Sequence, residues 1–457
     1  MNKLIQAMNA SATTENGCVS YHSTLSKCLD FFHVCAASRG RDISKEFIAA
    51  IAENSDVAFA TLMYLRDVRE GQGERKQFRD LVKVAIEYMS EQQVISVINK
   101  IPELGRFDDL EVFFDTPYAT KAAELWVSYI DSGNGLAAKW APRKDKKGAF
   151  QLRAVKRLSE ANWRKYIVAK SSTVEQNMCS KQWGEINYSH VPSQAMGKYM
   201  TAFYRNDNDR FEDFKSKLVK GEVKINAGAV YPYDVIRSLN KDVTIANAQW
   251  KALPDFVKGD ENFLPIIDVS GSMNTKVSGD ISALDIAVSL GLYLCERNKG
   301  IFKDTFMTFS ERPQLVTVGG TLQQRVNVVR SSDWGMSTDI ESVFSLILDS
   351  AVKHSVPESD MPSKLLIVSD MQFNSCMNGL TAFGMMQKKY EDAGYKLPQI
   401  VFWQVNVREG STPITVNDKG CALVSGFSPS IMKTILGSDL NPLQIMLDTV
   451  MIDRYKV

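Results

Sequence analysis

The sequence predicts a multidomain chain, with an all-α helical-repeat (HEAT-like) module in its N-terminal half and a doubly wound α/β domain in its C-terminal half. Three observations carry this. Apolar residues recur at helical spacing from Tyr21 to about Arg237. From Phe263 onward, short apolar runs alternate with amphipathic helical stretches, the pattern of a parallel sheet covered on both faces. The length, 457 residues, holds two or three domains with a core each.

Residues 1–19 read as a loose tail, 20–239 as the helical module, 240–262 as a connector and 263–457 as the α/β domain with its closing helices. In the helical part, Leu25, Leu29, Phe32 and Cys35 form one stripe, and Phe47, Ile48 and Ile51 the next. Val57, Leu62, Leu65 and Val68 follow, then Phe78, Leu81, Val82, Ala85 and Ile86. Short breaks separate them, and stacked helix pairs of this kind build a solenoid. Gly71 and Gly73 imitate a phosphate loop, but no strand precedes them and no Gly-Lys-Ser/Thr follows. They read instead as a tight turn with glycines at positive φ. In the second half, strands are expected over 263–267, 304–309, 314–318, 364–369, 399–405 and 422–424, with helices between them and one short antiparallel edge.

Composition narrows the function. Apolar content of 44% and charged content of 23% are those of an ordinary globular protein, and the net charge of +1 means that any nucleic-acid affinity must come from a local patch. The seven cysteines are scattered with no Cys-x-x-Cys, and the four histidines have no metal-ligand spacing. Reduced thiols in a cytoplasmic protein are therefore expected, without zinc. The first residues are too polar for a signal peptide, and no apolar run reaches the roughly 18 residues of a membrane span. No nucleotide loop and no nucleophile beside a base is visible, so the chain is not expected to be an enzyme.

One local patch exists. Lys139, Arg143, Lys144, Lys146, Lys147, Arg153, Lys156, Arg157, Arg164 and Lys165 cluster against only Asp145 and Glu160. Arg153, Lys156 and Arg157 fall on one helical face. Trp140, Phe150, Trp163 and Tyr166 are interleaved, a mixture suited to phosphate contact and base stacking, or else a solvated face over core aromatics.

The most informative stretch is Phe263 to Met273, FLPIIDVSGSM. An apolar strand runs into Asp268, and Ser270 and Ser272 follow at alternate positions. These are hard oxygen donors suited to Mg²⁺ or Mn²⁺, or else a strand end followed by a helix cap. Ser337-Thr338-Asp339 stands before a second apolar-periodic helix, and Leu365–Ser369 ends in Asp370. The C-terminal strand ends of a doubly wound sheet gather at one edge, where ligands bind.

Asp-x-Ser-x-Ser, then Thr, then Asp, in that order, resembles the metal-ion-dependent adhesion site of von Willebrand factor A domains, a Rossmann-like fold. The resemblance implies that Ser270, Ser272 and Thr338 ligate the ion directly, that Asp268 and Asp370 act mainly through water, and that a partner's carboxylate fills an open position. Asp339 either replaces Thr338 in that shell or favours the helix N-terminus. Tyr64–Arg75 (YLRDVREGQGER), Gln182–Tyr188 (QWGEINY), His190–Ser193 (HVPS) and Tyr231–Asp234 (YPYD), followed by the A-type domain, resemble the TROVE family of Ro-type proteins, particularly a bacterial, phage and plant branch.

That family implies a ring or horseshoe of helical repeats, a basic surface for small or misfolded RNAs, and a protein-recruiting A domain. The helical half here is short for a full ring. The expected function is a non-catalytic RNA-binding scaffold. The alternative is a metal-dependent protein-interaction adaptor beside a MoxR-type AAA+ ATPase, without RNA.

Overall fold

The computed structural model describes residues 11–144, 146–259, 261–309, 312–332, 339–374, 382–407 and 411–457. They divide into two compact units. One comprises residues 1–61, 231–243 and 254–454, and the other residues 62–230, 244–253 and 455–457.

The first unit opens with β1 (Ser11–Thr13) and β2 (Val19–Tyr21), an antiparallel hairpin. Part of the expected loose tail is therefore ordered. Cys18 sits in the sheet unit's core, and Tyr21 and Thr412 exchange backbone hydrogen bonds of 2.9 and 2.8 Å. The boundary expected near residue 20 also shifts. Helices Lys27–Cys35 and Ser44–Glu53 pack with the sheet unit, because Phe31, Phe32 and Phe47 bury their apolar faces there.

The sheet itself comes from β3 (Phe263–Asp268), β6 (Thr305–Phe309), β7 (Leu315–Thr317), β8 (Lys364–Ser369), β9 (Gln399–Gln404) and β10 (Cys421–Ser425), while β4 (Lys276–Ser278) and β5 (Ile281–Ser282) make a small separate hairpin. The order is β10-β9-β8-β3-β6-β7, parallel throughout except for the antiparallel edge strand β7. β3 and β8, fully buried along their length, read as continuous apolar runs for that reason. Helices Ile340–His354 and Ala382–Asp392 cover one face through Val343, Phe344, Met386 and Tyr390. Helices Ala283–Arg297, Lys27–Cys35 and Pro442–Val450 pack on this unit too, the first so closely that a Cβ on Gly291 would lie 2.1 Å from Ile267 Cδ1.

The second unit is helical. Helices Arg75–Ala85, Glu91–Leu104, Ala119–Asp131, Gly135–Trp140, Ala149–Lys156 and Glu160–Lys170 come first, followed by Val174–Cys179, Ser193–Asn206 and Asn208–Lys220. Tyr188, Phe203, Phe211 and Phe214 form one aromatic core, and Trp126 lies between Phe107 and Phe114 in another. The Gly-x-Gly segment is a turn. Gln72, Gly73 and Glu74 donate backbone N–H groups to Tyr64, Asp67 and Leu65. Only Gly73 takes a positive φ, of 66°. Gly71 is needed for space, because a Cβ there would lie 2.1 Å from the Tyr64 carbonyl oxygen. Tyr455 closes over this turn, donating its hydroxyl to Asp67 Oδ2 at 3.0 Å.

Beneath it lies a buried ionic cluster. Arg66 donates through Nε and Nη2 to Asp109 Oδ2, both at 2.7 Å, and Arg79 Nε donates to Asp109 Oδ1 at 2.7 Å. Arg79 also pairs with Asp108 at 3.0 Å, and Arg106, stacked on Trp140, pairs with Asp108. Asp109 is completely buried, so removing it leaves the buried Arg66 guanidinium without its carboxylate, while Arg79 keeps Asp108. Asp109→Ala is expected to lower the unfolding free energy by about 3–5 kcal/mol in urea denaturation followed by circular dichroism.

Candidate functional site at the carboxyl edge of the sheet

β3 and β8 are hydrogen-bonded neighbours, in register from Phe263 opposite Lys364 to Ile267 opposite Val368. That register brings the polar residues at their carboxyl ends together. Ser369 Oγ donates to Asp268 Oδ2 at 2.5 Å, and the Ser270 backbone N–H donates to Asp268 Oδ1 at 2.9 Å. The chain then enters a 3₁₀ turn, Gly271–Asn274, which sets Ser270 Oγ and Ser272 Oγ 3.0 Å apart. Ser272 is half-buried and Gly271 exposed, so the hydroxyl pair stands at the solvent side of the carboxylate.

Asp370 follows directly on β8 and is fully buried. Its Oδ1 accepts a long 3.4 Å hydrogen bond from Gln372 N. The backbone turns sharply there: Met371 has φ of 63°, a left-handed conformation uncommon outside glycine, and donates its N–H to Ser369 Oγ at 2.9 Å. The N-terminal hairpin holds this turn in place. Thr14 Oγ1 donates to Phe373 O at 2.6 Å, Asn16 Nδ2 to Gln372 O at 2.7 Å, and Glu15 N to Gln372 Oε1 at 2.8 Å.

Two carboxylates buried side by side are an electrostatic conflict. Burial first, and the Asp370 charge second, push Asp268 up from 3.8 to about 7, against the opposing hydrogen bonds from Ser369 and Ser270. A proton or a cation relieves this conflict, and the donors present are all hard oxygens. Among the described residues no three His, Cys, Asp or Glu side chains gather as a metal cluster, so an ion here would depend on the serine hydroxyls.

The structure thus brings together Asp268, Ser270, Ser272 and Asp370. Thr338 lies outside the described residues. Asp339 acts as a helix cap, accepting from Ser342 N at 3.0 Å and from Ser342 Oγ at 2.6 Å at the start of helix Ile340–His354. Sequence reasoning missed Ser369 and Gln372. A hydroxyl immediately before Asp370 was the available signal for the first; the second is revealed only by its hydrogen bond to a distant hairpin.

The basic segment belongs to the helical unit. Lys139 pairs with Glu175 at 2.5 Å, Lys156 with Asp131 at 2.9 Å, Arg153 with Glu160 at 3.4 Å, and Lys147 with Asp115. Arg143, Lys144, Lys146, Arg157, Arg164 and Lys165 are exposed. Helix Ala149–Lys156 ends at Lys156, and Arg157, at φ of 52°, is its left-handed cap, so Arg153, Lys156 and Arg157 do not share one helical face. Of the interleaved aromatics, Trp163 is core, its indole N–H donating to Pro142 O at 3.0 Å, while Tyr166 hydrogen-bonds Asp131 and Trp140 lies under Arg106. Phe150 is 71% exposed.

Comparisons with known proteins agree with this architecture. A domain of unknown function, DUF7788, matches residues 262–446, and another, DUF2828, matches residues 14–83 and 143–260. An uncharacterized protein of Acanthamoeba polyphaga mimivirus is 28% identical over 95% of this chain and 86% of its own length. The crystal structure of the Deinococcus radiodurans Ro (RSR) protein aligns with a TM-score of 0.50 and 12% identity, covering 90% of this chain and 99% of that one. At that identity the likeness is one of fold. The chain has a Ro-like fold, a helical region joined to an α/β unit.

Proposed function

We propose that the protein is a non-catalytic RNA-binding scaffold whose α/β unit is a von Willebrand A-type domain with a divalent-cation site for a protein partner. The observation that carries the RNA reading is the exposed set Arg143, Lys144, Lys146, Arg157, Arg164 and Lys165, in the same segment of the chain as the exposed Phe150 ring, in a chain close to neutral overall. Among the described residues none of these six is in an ion pair, and exposed cations of that kind are best able to displace counterions from phosphate, while an exposed ring is a platform for a base. The ion-paired Lys139, Lys147, Arg153 and Lys156 take a secondary part, because each must first leave its carboxylate.

The metal reading rests on the juxtaposed Asp268, Ser270, Ser272 and Asp370. Mg²⁺ or Mn²⁺ would neutralise the carboxylates and offer a Lewis-acidic position to a partner's acidic side chain. Ser369 keeps Asp268 oriented, and the hairpin-held turn fixes Asp370.

Three measurements test this. RNA affinity should fall with salt, and replacing Lys144, Lys146, Arg164 and Lys165 with Ala should flatten log K against log[salt] by about 0.7 for each phosphate no longer neutralised. An unchanged slope would remove the basic segment from the interface; capture of an AAA+ ATPase in Mg²⁺ with no RNA would favour the adaptor. Calorimetric Mg²⁺ titration should show about 10–100-fold weaker binding in Ser270→Ala, with RNA affinity unaltered.

The third is pH dependence in EDTA. Asp268 binds its proton more tightly in the folded chain, so its contribution is fully present below 3.8 and is lost as pH rises through about 7. Buried His33 runs the other way: burial pushes it from 6.5 to about 4, and its contribution is lost as pH falls through that range. The comparison is therefore wild type against Asp268→Asn by urea denaturation. The variant should lack a loss on the order of 2–3 kcal/mol between about pH 5 and pH 8.

A further inference from the structure

The basic segment is not alone on its side of the helical unit. Helix Arg75–Ala85 packs on the 3₁₀ turn Phe107–Phe113. The basic segment meets the end of the same turn. Gln151 Nε2 donates to Phe114 O at 3.5 Å, Lys147 pairs with Asp115, and Gly148, at φ of 83°, leaves no room for a Cβ against the Phe114 ring. Residues 107–115 therefore join the start of the helix to residues 146–151, although the two lie far apart in the chain.

The charges around this turn do not balance. Asp108 and Asp109 are taken up by Arg66, Arg79 and Arg106, and Asp115 by Lys147. Glu111 is the remaining acid of the turn. Burial first, and the Asp108 charge second, raise its pKa, while Arg79, Lys146 and Lys147 oppose the rise, so those two lysines reach the turn as well. One cation more stands there with no acid of its own. Arg75, the first residue of its helix, is exposed and makes no ion pair among the described residues.

Arg75 is crowded by its own kind. Desolvation first, and the Arg106 charge second, lower its pKa, with Arg79 adding to them and Asp108 and Asp109 opposing. A guanidinium stays charged at neutral pH even so, and the tension is relieved by bringing in an anion rather than by losing a proton. The helix itself adds to the same sign, because the Glu74 side chain does not cap its first N–H groups. A planar fork of donors fits phosphate oxygens in pairs. An extended polyanion meets Arg75 and the basic segment together, whereas a single small ion meets only one of them.

We propose that Arg75 is a phosphate-contacting residue of the RNA interface, which runs from the basic segment across the turn Phe107–Phe113 to the start of helix Arg75–Ala85. The inference rests on the RNA-scaffold reading and extends its surface to a second element. Arg106, half-buried over Trp140 at 3.6 Å and paired with Asp108, is a positioning residue that keeps the potential beside Arg75 positive.

The test uses the full chain and a fluorescein-labelled uridine oligomer of about 20 nucleotides, long enough for several phosphate contacts, with anisotropy read over a salt series. Arg75→Ala should bind about 5–10-fold more weakly near 50 mM salt and flatten log K against log[salt] by about 0.7, with the affinities converging toward 1 M. Its circular dichroism spectrum and urea midpoint should match wild type. Arg75→Lys, which keeps the charge, should keep the slope. Equal affinity and slope in wild type and Arg75→Ala, with a flatter slope in the Lys144, Lys146, Arg164 and Lys165 variant, would overturn the inference and leave the RNA reading standing. Wild type that binds no oligomer would overturn both. A slope lost equally in Arg75→Ala and Arg75→Lys would mark a structural role, and poly-glutamate bound more tightly than the oligomer, with the same dependence on Arg75, would mark an acidic polypeptide as the partner; either result overturns the inference.

Discussion

Two carboxylates, Asp268 and Asp370, are buried side by side at the carboxyl ends of adjacent parallel strands, and much of the sheet unit is arranged to hold them there. Apolar burial along β3 and β8 fixes the register, and the register leaves no choice about where the two acids fall. Hydrogen bonding then orients them. Ser369 and the Ser270 N–H take one acid, and the left-handed Met371 turn, clamped by the N-terminal hairpin, directs the other. A charge pair of like sign is retained in a protein interior only where a proton or a cation answers it. On the proposed reading, the site is poised between those two states, and divalent binding there would be linked to pH.

The helical unit solves the opposite problem. There Asp109 is buried with cations already in place, since Arg66 and Arg79 saturate its oxygens and Asp108 passes the charge on to Arg106. Gly105 shows how little room is left, because a Cβ there would lie 2.6 Å from Asp109 Oδ2. A buried acid with its counter-charges in place specifies a packing; the acid pair at Asp268 has no such cation beside it among the described residues. The same distinction separates the basic residues paired with Asp115, Asp131, Glu160 and Glu175 from those that are exposed.

The order of elements was legible in the chain. Continuous apolar runs ending in acids announced β3 and β8, and helical periodicity announced the helices around them, because burial on two faces or one writes itself into composition at fixed spacing. Asp268, Ser270 and Ser272 were legible as oxygen donors close together in the chain, although a 3₁₀ turn rather than strand alternation sets the two hydroxyls side by side. Asp370 joins the set through the resemblance to the A-type metal motif, since it stands about a hundred residues away in the chain.

What the sequence by itself determined is this periodic content, the two-part architecture and the donors next to one another in the chain. The tertiary structure alone decided which distant segments meet. A polar stretch resembling a tail became the hairpin against Gln372 and Phe373. Trp163 became core, and four of the lysines and arginines found acids 7 to 36 residues away. Arg75, far from Arg106 in sequence, came to stand beside it at the turn that the basic segment also meets. Pairing of this kind depends on the register and packing of whole elements rather than on local spacing, and no residue's immediate neighbours encode it.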